Sequence, residues 1–534
     1  MTQISRTVDD IVVGAGSGGC ALAARLSENP DRTVLLLEAG EWDAQSAIHE
    51  VRLSALLGLW RRAEAEGIDW GYVTEPEPFL GGRRVPVARG KVVGGSGSVN
   101  ALMWVRGNRR DFDEWRRLGN RGWSYRDLLP CFKRAEDYRG RPSPYRGVRG
   151  PIGVHDHTAP TPVAQGFVDA AAEAGFPGRG QDYNGPEQEG FGFLYQTTRT
   201  GHGTRCSTAT GYLRPALSRR NLTVLTGARA TRLLLRAGRA RGVTYVRGGR
   251  TRTVRARGEI VLCAGTFETP KLLMLSGIGP AARLAEHGIP CLMSLPGVGE
   301  GLQDHPFVSV CEASPTEHPE AELVSEAGLF VRVGDSAETL GRPDVQFSFG
   351  TAKFLPADAV PADIRGPGFT LAATAVRPRS RGRVALRSAD PEQPATVLGG
   401  YLSCGADTDT LVRGLELARE LIATEALRPF RGVELCPGPS VRTRKELRAH
   451  VTANASTLWH PVGTCRMGAD PQAVVDAELR VHGVDGLRIA DASVMPTITT
   501  GNTNAPVVMI AEKAADLMRA TTTGSNKGVD YANR

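Results

Sequence analysis

Short apolar runs that end in glycine recur along this chain, and the first of them organises the rest. Residues 11–13 are apolar, Gly14, Gly16 and Gly19 follow with G-x-G-x-x-G spacing, and residues 21–26 are helix formers up to Asn29-Pro30. That order predicts a strand, a tight turn and a helix, with Ser17 in the turn expected to contact the bound cofactor. The second run, residues 34–37, ends in Glu38 and Ala39, with the acid nineteen positions after Gly19. In such a unit the first glycine permits the sharp turn, the second lets a pyrophosphate approach the main chain, and the third lets helix and strand pack closely. The helix N-terminus offers unpaired N–H groups to the phosphates, and the acid suits ribose hydroxyls. The pattern therefore predicts an adenine dinucleotide site, with FAD and NAD both compatible.

Further along, residues 54–65 read as a helical piece. Residues 222–225, 231–235, 242–246 and 251–257 are short alternating runs between glycine turns, which predicts one small antiparallel sheet. Residues 260–265 read as a buried strand, 383–387 as a strand and 409–423 as an amphipathic helix. The proline-rich stretch 355–368 has no period and reads as a mobile loop; 521–534 reads as a polar, disordered tail.

Composition narrows the class without changing this picture. At 534 residues, 41% hydrophobic and 23% charged, the chain is long enough for more than one core. The 65 basic residues against 57 acidic ones leave +8, carried almost wholly by arginine. The densest basic stretch, residues 229–257, alternates with Val, Leu, Thr and Tyr and fits exposed strand faces better than a nucleic-acid patch. The polar N-terminus runs straight into the first strand and no apolar run reaches membrane-spanning length, so a cytoplasmic protein without a membrane span is expected. Nine cysteines without a C-x-x-C pair argue against a disulfide framework and against a metal site.

A second glycine-rich stretch, RGKVVGGSGSVNALMWVRG at residues 89–107, is dense enough in Gly and Ser for main-chain N–H groups to close on a flat or anionic ligand. Together with the opening fingerprint it resembles the signature of the glucose-methanol-choline (GMC) family of FAD-dependent oxidoreductases. The resemblance continues in CAGTFETPKLLMLSGIGP at 263–280, LPGVG at 295–299, LQDH at 302–305, WHPVGTCRMG at 459–468 and GNTNAP at 501–506. It selects FAD. It also implies an α/β fold in which a Rossmann-like FAD-binding domain (residues 1–157, 205–310 and 455–520) interleaves with an α+β substrate-binding domain on an antiparallel sheet (158–204 and 311–454).

By residue type alone, His460 is a candidate base because its ordinary pKa lies near neutrality. The resemblance places His460 at the family's catalytic histidine and Asn504 at the second catalytic position. It assigns FAD contacts to Val92, Gly94, Gly95, Asn100, Ala101 and Met103 in the second glycine-rich loop. Further contacts fall to Ala230, to Asp491 and Ala492 in RIADAS at 488–493, and to Asn502 and Thr503. Members that tether FAD through histidine carry it where this chain has Val99, so non-covalent FAD is expected. Choline-oxidising members carry a glutamate where this chain has Phe307, which points to an uncharged primary or aryl alcohol as substrate, with O2 or another electron acceptor. A lyase on the same scaffold, without net flavin redox, is the alternative.

Overall fold

The computed structural model describes residues 7–178, 181–334, 341–354 and 366–525. Two cores are visible, and the chain passes between them several times. The first is a five-stranded parallel sheet in the order Leu222–Leu225, Val34–Leu37, Asp10–Val13, Ile260–Leu262, Leu487–Ile489. Asp10–Val13, Val34–Leu37, Ile260–Leu262 and Leu487–Ile489 are buried at every position, as a parallel sheet covered by helices requires. The helix Ser17–Leu26 covers it, and the C-terminal helix Asn504–Ser525 packs on that helix.

Ion pairs to one buried carboxylate clamp these helices together. Glu512, fully buried, accepts from Arg25 Nε at 2.9 Å and Tyr212 Oη at 2.6 Å through one oxygen, and from Arg134 Nε at 2.6 Å through the other. Taking that carboxylate out of water is tolerable because each oxygen meets a donor.

Residues 222–225 depart from the sequence expectation. They do not join the antiparallel sheet; they pair in parallel with Val34–Leu37. A four-residue apolar run carries no information on its partner's direction, and what decides it is the otherwise open edge of the nucleotide-binding sheet. The small antiparallel sheet consists of Arg229–Arg236, Arg239–Arg247 and Arg250–Ala256, with Thr7–Val8 added in parallel at its edge.

The second core lies between a large antiparallel sheet and helices Pro162–Glu173 and Gly405–Ala423. Its strands run in the order Glu434–Cys436, Pro306–Ala313, Gly368–Ala375, Val345–Gly350, Ala327–Val331, Gly192–Leu194. Period-two alternation divides its faces. Val345, Phe347 and Phe349, like Phe369, Leu371 and Ala373, enter the core with the helices. Ser348, Gly350, Thr370 and Ala372 line a cavity on the other face.

The helical piece near residue 54 is Leu53–Arg62, and the amphipathic helix starts four residues earlier than expected, at Gly405. The C-terminal helix continues through Ser525, so residues 521–525 are helical and not part of a disordered tail. Residues 526–534 and most of the expected loop, 355–365, lie outside the described residues. Among the described residues no helix is long and apolar enough to cross a membrane, and no cluster of three or more His, Cys, Asp or Glu side chains can hold a metal ion.

Candidate active site

The two glycine-rich turns meet back to back. A Cβ added at Gly19 would lie 1.8 Å from the carbonyl oxygen of Gly14, and one at Gly95 would lie 2.7 Å from Cα of Gly16. Gly95 also has φ +57°, which a side chain resists. Only bare backbone allows this approach. No side chain caps the helix that begins at Ser17, so its first N–H groups are open to a ligand.

These turns border a cavity of about 690 Å³. Of the residues expected to bind the cofactor, Gly14, Gly16, Ser17, Glu38, Ala39, Gly95, Asn100, Ala101, Met103, Ala230, Asp491, Ala492, Asn502 and Thr503 line it, as do His460 and Asn504. Gly19, Val92 and Gly94 stand behind the wall. Gly94 N–H donates to the Ala15 carbonyl at 2.7 Å, and Val92 is fully buried in a bridge with Glu41. Their part is to shape the cradle.

Glu38 sits at one end of the cavity, its oxygens accepting from Ala15 N–H and Gly40 N–H, each at 2.7 Å. Burial, partly offset by those N–H groups, raises its pKa to about 6. Asp491 accepts from Gly265 N–H at 2.8 Å and Thr269 Oγ1 at 2.6 Å, which fixes the turn at Ala492. An uncapped helix start, a glycine cradle and a buried acid around one cavity are the groups an adenine dinucleotide needs.

At another part of the cavity wall stands His460. Strand Ser456–Thr457 pairs with Pro306–Ala313, and this pairing carries His460 to His305 across a sequence gap of 155 residues. The two imidazoles meet edge to face, Nδ1 to Nδ1, at 3.0 Å. Asp304 holds both: one oxygen accepts the His305 and His460 main-chain N–H groups at 2.8 Å each, and the other accepts Tyr401 Oη at 2.7 Å. Trp459, with φ +61°, is in the left-handed region, and the Arg89 guanidinium bonds its carbonyl. A strained residue held from both sides aims the next side chain.

Hydrogen bonding assigns the protons. His305 Nε2 faces the Val376 carbonyl at 3.2 Å, and a carbonyl only accepts, so the His305 proton is on Nε2. Burial lowers the His305 pKa to about 3, keeping it neutral with a bare Nδ1. His460 must then donate from Nδ1, which leaves its Nε2 lone pair turned to the cavity. Burial, then the neighbouring His305 and Arg89, hold the His460 pKa well below its ordinary value.

The carboxamide beside that lone pair belongs to Asn502, and this departs from the sequence expectation. Asn502 Nδ2 lies 3.3 Å from His460 Nε2 and 3.7 Å from Met103 Sδ. Asn504 instead accepts from Ser17 Oγ at 2.7 Å. Gly501, at φ +117°, turns the chain just before the helix that starts at Asn504, so the two asparagines face different neighbours. Sequence reasoning also passed over the contacts of His305 and Asp304 with His460. His305 and Asp304 lie in the quoted LQDH motif, but nothing local ties that motif to His460.

A Rossmann-type dinucleotide cradle in one cavity with a buried imidazole defines the class: a protein built for a dinucleotide cofactor, with a histidine on the wall of the cofactor cavity. Comparison with known proteins makes this specific. The GMC oxidoreductase family models match residues 8–307 and 378–511. The chain is 41% identical over 535 residues to oxygen-dependent choline dehydrogenase of Brucella anthropi, covering 95% of each chain. It is 40% identical over 555 residues to the enzyme of that name from Burkholderia cenocepacia, covering 99% of this chain and 96% of that one. It superposes on pyridoxine 4-oxidase from Mesorbium loti with a TM-score of 0.90 at 34% identity, over 96% of this chain and 99% of that one.

The chain belongs to the GMC oxidoreductase family. It is an FAD-dependent alcohol oxidoreductase.

Proposed function

We propose that the enzyme oxidises an uncharged primary alcohol, aliphatic or aryl, to the aldehyde, with His460 as general base and Asn502 as donor to the substrate oxygen. The observation that carries this is the unprotonated His460 Nε2 in the cavity wall with the Asn502 amide nitrogen 3.3 Å from it. A carbon-bound hydrogen leaves as hydride far more readily once the hydroxyl proton is gone, so a base must take that proton first or in concert. The alcohol oxygen bridges His460 Nε2 and Asn502 Nδ2, giving its proton to the first and accepting from the second as negative charge builds. The new imidazolium keeps its Nδ1–H on His305. The glycine cradle with Glu38, Asn100 and Asp491 would hold FAD, which would supply the hydride acceptor.

The cavity wall supports this substrate class. Phe307, Ser348, Gly350, Thr370 and Ala372, contributed by the large sheet, carry no charge. The Thr370 hydroxyl donates to the Ala352 carbonyl at 2.7 Å and that of Ser325 to the Phe349 carbonyl at 3.0 Å, so neither proton is available to a ligand. Phe307, Phe354 and Trp60 add apolar and aromatic surface. Choline is the second reading. It is favoured by the names of the relatives and by aromatic faces that attract cations, and it is opposed by the uncharged sheet wall.

Anaerobic mixing of the holoenzyme with benzyl alcohol, pyridoxine and choline tests this, with bleaching of the flavin as the signal. Benzyl alcohol or pyridoxine should bleach it and choline should not. His460→Ala should retain FAD and lose bleaching by orders of magnitude; an unchanged rate would overturn the base assignment. Readmitting air after bleaching distinguishes an oxidase from an enzyme that needs another acceptor, and a reaction without bleaching would point to the lyase.

A further inference from the structure

Asn502 is useful to the reaction only with its nitrogen turned to His460, and a carboxamide has two orientations of nearly equal shape. Something must choose between them. Gln346, on strand Val345–Gly350, is fully buried on the same sheet face as Ser348, away from the helix-covered core. Its Nε2 donates to Asn502 Oδ1 at 3.3 Å and to Tyr195 Oη at 2.7 Å. Tyr195 Oη in turn bonds Ser348 Oγ at 3.1 Å. Gln346 Oε1 is buried without a hydrogen-bond partner. The Gln346 amide therefore leaves its own acceptor unpaired while spending both donors on Tyr195 and Asn502.

We propose that Gln346, anchored by Tyr195, is a positioning residue that sets the Asn502 carboxamide and thereby keeps His460 a neutral base; this rests on the reading of His460 given above. The donors then run in one direction. Gln346 donates to Asn502, Asn502 to His460, His460 to His305 and His305 to the Val376 carbonyl. Protonating His460 at Nε2 puts a donor against the Asn502 amide nitrogen. The amide can relieve that clash only by turning over, which breaks the bond from Gln346 and sets two N–H groups against each other. Gln346 thus opposes protonation of His460 from two residues away. The other charged or titratable groups around His460 are His305 at its Nδ1, Asp304 at its main-chain N–H and Arg89 through the Trp459 carbonyl. Tyr195 is the titratable group that bonds Gln346. None of these contacts changes when Gln346 loses its amide, except that of Tyr195.

The test is the titration midpoint of His460 in the FAD-loaded protein, followed by NMR of isotope-labelled histidine and assigned by the signal lost in His460→Ala. Gln346→Met keeps the volume and removes the donor. It should move the midpoint to higher pH by about one unit, the worth of one lost hydrogen bond. The acid limb of anaerobic flavin reduction by benzyl alcohol should move with it. In an Asn502→Ala background the same substitution should move nothing. If Gln346→Met fails to retain FAD, Tyr195→Phe removes the anchor and should shift the midpoint in the same direction. Coincident midpoints in wild type and variant, or an equal shift without Asn502, would overturn the proposal. Failure of the functional reading looks different: His460→Ala would leave flavin reduction intact whatever the midpoint does.

Discussion

Two asparagines two residues apart separate the sequence reading from the structural one, and replacing each with alanine tells which contributes to the chemistry. Asn502 Nδ2 is 3.3 Å from His460 Nε2, and the proposed function has an alcohol oxygen bridge these two groups. Removing a donor aimed at a developing oxyanion slows chemistry by about 10²–10³-fold, or roughly 3–4 kcal/mol. Among the described residues it is Asn502, not Asn504, that bonds His460, and Asn504 accepts one hydrogen bond from Ser17 Oγ at 2.7 Å. Its loss forfeits one neutral hydrogen bond, about 1 kcal/mol, which is less than tenfold even if felt entirely in the transition state. Anaerobic stopped-flow reduction of the bound flavin at saturating alcohol measures the chemical step without product release. The expected order is wild type, then Asn504→Ala within tenfold of it, then Asn502→Ala far below both. Equal losses, or the reverse order, would refute the assignment of the donor to Asn502.

Four other expectations bear on neighbouring features. His460 must be unprotonated to act, and burial, His305 and Arg89 lower its pKa, so flavin reduction should hold steady as pH falls through 6.5 and decline only below it. A decline already under way above that point in the pH profile would contradict the neutral pair. Glu512→Ala removes the acceptor shared by Arg25, Arg134 and Tyr212, while Arg25 keeps Glu28 and Arg134 keeps Asp516, and should cost about 1–3 kcal/mol, read as a lower thermal midpoint of the holoenzyme. Gly19→Ala forces a methyl group to 1.8 Å from the Gly14 carbonyl oxygen, and should yield protein without flavin absorbance. With Val99 where a tethering histidine would stand, acid precipitation of the wild type should leave the flavin in the supernatant; colour in the pellet would show a covalent bond.

How much of this was legible in the sequence depends on whether the signal is local. The strand, turn and helix of residues 10–26, the acid at Glu38 and the second glycine-rich turn each follow from neighbours within a few residues, so the pattern of apolar and glycine positions determined the cofactor cradle. The roles within it were less legible. Gly19, Val92 and Gly94 carry the same glycine-loop signature as Gly16 and Gly95 yet stand behind the wall, because distance to a ligand is not encoded in spacing.

The sequence alone thus determined the nucleotide-binding unit, the family resemblance and His460 as the candidate base. Tertiary structure decided what each of these touches. Residues 222–225 became a parallel edge strand because an open sheet edge awaited them, and Asn502 took the place beside His460 because Gly501 turns the chain before a helix begins. His305 joined His460 only through the pairing of Ser456–Thr457 with Pro306–Phe307. Contacts between groups hundreds of residues apart depend on how sheets and helices pack, and a single side chain's protonation and orientation depend on those contacts; local patterns along the chain carry neither.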